Sequence, residues 1–126
     1  MNTSILSIFF FSDIHLDPYY LPNSRPSQLC HRFDRRPEKN RSGKFATPDS
    51  DCDSPYALTN STFLFLKENL EDVDFILYTG DSLMHDRDPK IPLTEEYVIW
   101  CHETIVKYFT DTFDMNKTKL VSNVTG

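Results

Sequence analysis

Apolar residues along this chain fall into three short runs and two longer periodic stretches. The first run, Ile5-Leu-Ser-Ile-Phe-Phe-Phe11, is aromatic and β-branched, the pattern of a buried strand. From Asp17 to about Asp53 the periodicity disappears and Pro, Ser, Asn and Arg dominate. Residues 17–53 therefore read as one long loop, and a loop of that length in a compact domain is usually functional or disordered. Ser54-Pro55 then opens a helix, with Ser as N-cap and Pro at the first helical position. Phe63, Leu66 and Leu70 recur at i, i+3 and i+7 as its buried face, and Glu71-Asp72 ends it. Val73 to Tyr78 reads as a second strand running into Thr79-Gly80-Asp81. A polar stretch from His85 to Thr94 contains Pro89 and Pro92. A second helix is expected from about Glu95 to Phe109, with Val98, Cys101, Ile105 and Tyr108 on its apolar face. Leu120 to Ser122 is a short third strand. The order β-loop-α-β-α-β predicts an α/β fold in which helices cross over between strands of one sheet. No internal repeat is visible.

Composition narrows the class. The 126 residues are the size of one domain, 1–126, and 13% of them are aromatic, which argues against a disordered tail. No apolar run approaches the roughly 18 residues of a membrane span. The net charge is -6, which argues against a general nucleic-acid binder. That average hides a reversal. Arg25, Arg32, Arg35, Arg36, Lys39, Arg41 and Lys44 lie within twenty positions, opposed there only by Asp34 and Glu38. This basic island suits a polyanionic ligand, and equally a solvated basic loop.

Cys30 and Cys52 bracket the island and are candidates for a disulfide that would staple it, worth on the order of 3 kcal/mol for such a loop. Cys101 falls in the second helix, where a buried free thiol is the ordinary expectation. Asn2, Asn40, Asn60, Asn116 and Asn123 each begin an N-x-[ST] sequon, where about one is expected by chance. Together these features suggest the lumen of the secretory pathway. Ile5–Phe11 resembles a short signal core, but it lacks a basic flank and a small-residue cleavage site, and it runs straight into Asp13. A lumenal protein needs a targeting segment that this sequence does not show. With the abrupt end at Val124-Thr125-Gly126, the expectation is an N-terminal fragment.

Two acidic motifs follow strands, where α/β sheets bind ligands. In Asp13-Ile14-His15 the residues at i and i+2 share one side of an extended chain, so carboxylate and imidazole can meet one ion. In Gly80-Asp81-Ser82-Leu83-Met84-His85 the glycine permits a tight turn, and Asp81 would enter the same crevice. Either motif alone is an ordinary strand-end turn. Together they suggest a two-metal phosphoester site with Asp81 as the bridge. His85, four residues on, is placed to protonate a leaving oxygen. His31 is a candidate anion ligand in the basic loop, and His102 reads as a structural helix residue. Asp17, Tyr19 and Tyr20 would shape the crevice or simply turn the loop.

These residues resemble a known family. Phe11-Ser-Asp-Ile-His15 and Gly80-Asp81 look like the first two blocks of the calcineurin-like metallophosphoesterases. Gly-Asp-x-x-x-His narrows the resemblance to the branch containing acid sphingomyelinase and the fungal endopolyphosphatases. Asp13-Ile-His-Leu-Asp-Pro-Tyr-Tyr20, Cys30-His31, Asp51-Cys-Asp-Ser-Pro55, Thr79-Gly-Asp-Ser-Leu-Met-His-Asp86 and Lys90-Ile-Pro92 look closer to the latter. The resemblance covers nearly the whole chain and implies the N-terminal portion of a metallophosphoesterase α/β sandwich. It implies hydrolysis of inorganic polyphosphate in the vacuole with two divalent ions (Zn, Mn, Co or Mg). Asp13 and His15 would bind the first ion, Asp81 would bridge both, and His85 would donate a proton or bind phosphate. His31, Arg32, Arg35, Arg36 and Lys44 become candidate polyphosphate contacts, from their charge. Family members are typically anchored by an N-terminal membrane helix, which is not in this sequence. The family's later Gly-Asn, His and Gly-x-His blocks are not here either, and Gly126 would be the glycine of the first. The 126-residue chain alone is therefore expected to be inactive. The alternatives are an acid sphingomyelinase-like phosphodiesterase and a non-catalytic polyanion-binding module.

Overall fold

A computed structural model of the chain describes residues 5–70 and 72–122. Among them the elements run β1 (Ile8–Phe11), β2 (Leu16–Asp17), β3 (Ser54–Pro55), α1 (Tyr56–Asn69), β4 (Phe75–Tyr78), α2 (Glu95–Thr112) and β5 (Lys119–Ser122). Strands β1, β4 and β5 form one parallel sheet in that spatial order. The two-residue strands β2 and β3 form a second parallel pair, with Leu16 opposite Ser54. The fold is mixed α/β with parallel sheets and two helices, as part of a metallophosphoesterase sandwich would be.

Because the strands lie in sequence order, right-handed crossovers put both helices on one face. There the core forms from Ile76 and Tyr78 of β4, Phe63 and Leu66 of α1, and Cys101, Ile105 and Phe109 of α2. Phe63 meets Phe109 edge-on at 5.1 Å and stacks on Tyr108 at 4.8 Å. Burying each large side chain here stabilises the fold by roughly 1.5–3 kcal/mol. The α2 stripe is Tyr97, Cys101, Ile105 and Phe109, four residues apart. Val98 and Tyr108, expected in that stripe, sit at its half-buried margin.

Other boundaries shift for local reasons. Ser54 is not the N-cap of α1, because its backbone is engaged in the β2–β3 pair; Pro55 takes the cap position without a side-chain hydrogen bond. Thr94 does cap α2, its hydroxyl accepting from the Tyr97 amide at 3.2 Å. The first strand is shorter than Ile5–Phe11 and only half buried. Phe9 and Phe11 pack on the core, while Ile8 and Phe10 face outward on the uncovered side of the sheet.

The 17–53 excursion is ordered. Cys30 and Cys52 are joined by a disulfide. Two short 3-10 turns, Pro26–Gln28 and Pro37–Lys39, fold its middle. Ser24 and Ser42 are buried against each other, with the Ser42 amide donating to the Ser24 carbonyl at 3.1 Å. The Tyr20 hydroxyl donates to the Gly43 carbonyl at 2.8 Å. A side chain at Gly43 would fall 2.2 Å from the Ala46 carbonyl oxygen, so only glycine fits this crossing.

Candidate metal centre

Beyond the sheet the two motif segments stay side by side. The Asp13 amide donates to Gly80 (3.2 Å), the His15 amide to Asp81 (3.2 Å) and the Leu16 amide to Ser82 (2.8 Å). Between these bonds the backbone turns through left-handed conformations at Asp13 (φ 57°), His15 (φ 43°), Gly80 (φ 94°) and Asp81 (φ 58°). Non-glycine residues held this way cost of order 1–3 kcal/mol each, and such strain clusters at functional sites. The neighbours that enforce it are identifiable. The Tyr97 hydroxyl, reaching in from α2, donates to the Leu16 carbonyl (2.7 Å) and accepts from the Met84 amide (3.0 Å), clipping the two segments together.

The result aims side chains at one spot. His15 Nδ1–H donates to the Leu83 carbonyl at 2.8 Å, since a carbonyl can only accept, and this leaves Nε2 bare. That nitrogen lies 3.8 Å from Asp13 Oδ1 and 3.3 Å from Asp81 Oδ2. One ligand atom from each of Asp13, His15 and Asp81 falls within 4.8 Å of the others. Both carboxylates are largely exposed while the imidazole is mostly buried, so the set opens to solvent from a fixed base. One imidazole and two carboxylates form a donor set suited to Zn, Mn or Fe. The residues fit the divalent ions that metallophosphoesterase-type enzymes use.

His85 stacks on His15, ring centroids 4.3 Å apart and 17° from parallel. It is anchored by a residue that sequence reasoning did not single out. Asp53 Oδ1 accepts from His85 Nδ1 at 2.7 Å, and Oδ2 accepts from the His85 amide at 2.8 Å. Asp53 arrives there because Ser54 N donates to the His15 carbonyl at 3.0 Å in the β2–β3 pair, and because Cys52 is tied to Cys30. The available signal was its place in Asp51-Cys-Asp-Ser-Pro55. Tyr97 was equally unforeseen.

The five candidate substrate contacts do not converge. His31 is buried between Asp17 and Asp88, facing inward rather than toward solvent. Arg32 pairs with Asp88 at 2.7 Å and Arg36 with Asp34 at 3.1 Å. The Asp34 carboxyl is held well below the usual carboxylate range, chiefly by the Arg36 hydrogen bond. Arg35 and Lys44 are exposed, the Lys44 ammonium 5.1 Å from the Phe45 ring centre. Other basic residues of the island, Arg25, Lys39 and Arg41, line a 440 Å³ cleft shared with Asp49 and Asp51. Among the sequon asparagines, Asn60 and Asn116 are exposed. The Asn40 amide is engaged at both ends by the Asp34 backbone, at 2.7 and 2.9 Å. Asn2 and Asn123 lie outside the described residues.

No family profile matches the chain. Curated proteins do. An endopolyphosphatase of Saccharomyces cerevisiae is 38% identical over 103 residues, covering 81% of this chain and 15% of that protein. Endopolyphosphatases of Neurospora crassa (34% over 108 residues; 80% and 14%) and Schizosaccharomyces pombe (34% over 112 residues; 81% and 19%) are similar as well. Over about four-fifths of its length, this chain is thus similar to part of several fungal endopolyphosphatases. It spans about 15% of the length of the first of these relatives. The endopolyphosphatase resemblance and the clustered Asp13, His15, Asp81 and His85 thus come together in one chain, at one end of one sheet.

Proposed function

We propose that the protein hydrolyses phosphoanhydride bonds inside inorganic polyphosphate, and that this chain supplies the first part of its two-metal site. The observation that supports this reading is the convergence of Asp13, His15 and Asp81 within 4.8 Å, beside the Asp53–His85 pair. Asp13, His15 and Asp81 would hold one divalent ion, with Asp81 shared with a second. Such ions, when bound, polarise a phosphoryl oxygen and lower the pKa of coordinated water. The chain's own contribution is positional. Leu83 fixes the His15 tautomer, so that Nε2 faces the carboxylates. Asp53 holds the Nδ1 proton of His85, which leaves Nε2 as the atom that gives a proton to the departing phosphate oxygen.

The test follows the chain length of long polyphosphate on gels, with the protein purified as its organism makes it. The expected result is shortening through mid-length products, abolished by EDTA and by Asp81→Asn. Metal-loaded protein that leaves polyphosphate intact, or that cleaves sphingomyelin instead, would overturn the reading.

A further inference from the structure

The basic loop meets the rest of the chain at a buried cluster outside the metal centre. The His31 side chain is 5% exposed. Its Nε2 lies 2.9 Å from Asp17 Oδ2 and its Nδ1 lies 2.8 Å from Asp88 Oδ2. Arg32 Nη1 donates to the same Asp88 oxygen at 2.7 Å. The remaining acceptor sites are also used. Asp17 Oδ1 takes the Tyr19 amide at 2.8 Å, and Asp88 Oδ1 takes the Lys90 amide at 3.0 Å. The groups facing the imidazole are thus Asp17 from β2, Asp88 from the loop before α2, and Arg32 and the Tyr19 ring from the basic loop, the ring edge-on at 6.2 Å.

This arrangement dictates a charge state. Ionised carboxylates only accept hydrogen bonds, and a neutral imidazole has a single N–H. With a carboxylate at each ring nitrogen, the neutral form would set a lone pair against an anion. The imidazolium donates at both. It also balances the cluster, His31 and Arg32 against Asp17 and Asp88, where the neutral form would bury a net negative charge. We infer that His31 is a buried imidazolium and a positioning residue, bolting the basic loop to both segments that carry the histidines of the metal centre. Asp17 follows His15 by two residues and Asp88 follows His85 by three. The inference does not depend on the substrate proposed above.

Its pH dependence has a definite sign. Burial alone works against the charged ring, but the hydrogen bonds and charges of Asp17 and Asp88 outweigh it and raise the pKa above the ordinary 6.5. Stability from this link is therefore fully present below about pH 6.5 and is lost as pH rises through the folded value.

The test is a pH titration of the wild-type 126-residue chain by nitrogen-15 NMR, reading the ring nitrogens of His31 and the backbone amides. Both ring N–H signals should persist as pH rises past 6.5, with the midpoint above that ordinary value. Amide exchange in residues 13–17 and 85–90 should speed up as pH rises through that midpoint, beyond the base-catalysed trend of other protected amides. Asp88→Asn should lower the midpoint, since Asp88 is one of the two partners that raise it. A single ring N–H at pH 6.5 overturns the charge assignment, and an imidazolium whose loss leaves those amides unchanged overturns the positioning role. If Asp88→Asn does not fold, the wild-type titration alone decides.

Discussion

Two histidines meet at this centre with their rings stacked, yet their hydrogen-bond partners differ in kind. His15 is set by a neutral acceptor, the Leu83 carbonyl, which fixes its tautomer and leaves a lone pair for a metal. His85 is set by a carboxylate, Asp53, which accepts from Nδ1 and leaves Nε2 as the ring's free nitrogen. That contrast makes a prediction about Asp53→Asn. The substitution keeps the size of the side chain and removes its charge. Divalent-ion binding through Asp13, His15 and Asp81 should persist in calorimetry, while, under the proposed function, polyphosphate turnover by the protein as its organism makes it should fall by about 10–100-fold, the usual cost of losing an orienting partner. Equal loss of metal binding and turnover would show that Asp53 supports the whole site and not His85 in particular. The four motif residues Asp13, His15, Asp81 and His85 were legible in the sequence because each sits within a few residues of a strand end. Asp53 was not, because it lies 32 positions from His85 and only the fold brings it near.

At the scale of elements, the sheet and both helices were legible from periodicity, since the apolar residues repeat at the spacing of the surface they bury. The 17–53 loop was not, because its order comes from hydrogen bonds and pairings that leave no periodic trace. Charge showed the basic island, but not that Arg32 and Arg36 are tied to Asp88 and Asp34. Nor did it show that Lys39 and Arg41 turn toward a cleft. The disulfide is the main constraint on this loop, and it enters the site directly, because Cys52 neighbours Asp53. Replacing Cys30 and Cys52 together with serine should lower stability by about 3 kcal/mol, measured by denaturant unfolding. The His15 and His85 resonances should also broaden or shift as Asp53 loses its anchor. A double variant as stable as the parent, with unchanged histidine resonances, would mean that the hydrogen bonds around Ser24, Ser42 and Tyr20 hold the loop unaided.

Among the described residues, the main sheet is covered on one side. Both helices lie on the same face of the β1-β4-β5 sheet, and parallel sheets ordinarily bury both. On the other face Ile8 is 53%, Phe10 66% and Val121 49% exposed, with Phe75 beside them. The ladder places Phe10 and Val121 on either side of Leu77, so these residues form a continuous apolar strip. An apolar strip of this kind attracts other apolar surfaces, and among the described residues the outer edge of β1 pairs with no other strand. The net charge of -6 opposes self-association but does not remove the strip. The 126-residue chain should therefore bind an apolar fluorescent dye while still folded. Phe10→Lys combined with Val121→Lys should abolish most of that signal. The same pair should change unfolding stability by only about 0.5 kcal/mol, as for surface positions that make no core contact. A double variant that binds dye as strongly as the parent would locate the accessible apolar surface elsewhere, with the outward Leu64 and Phe65 of α1 as the next place to look.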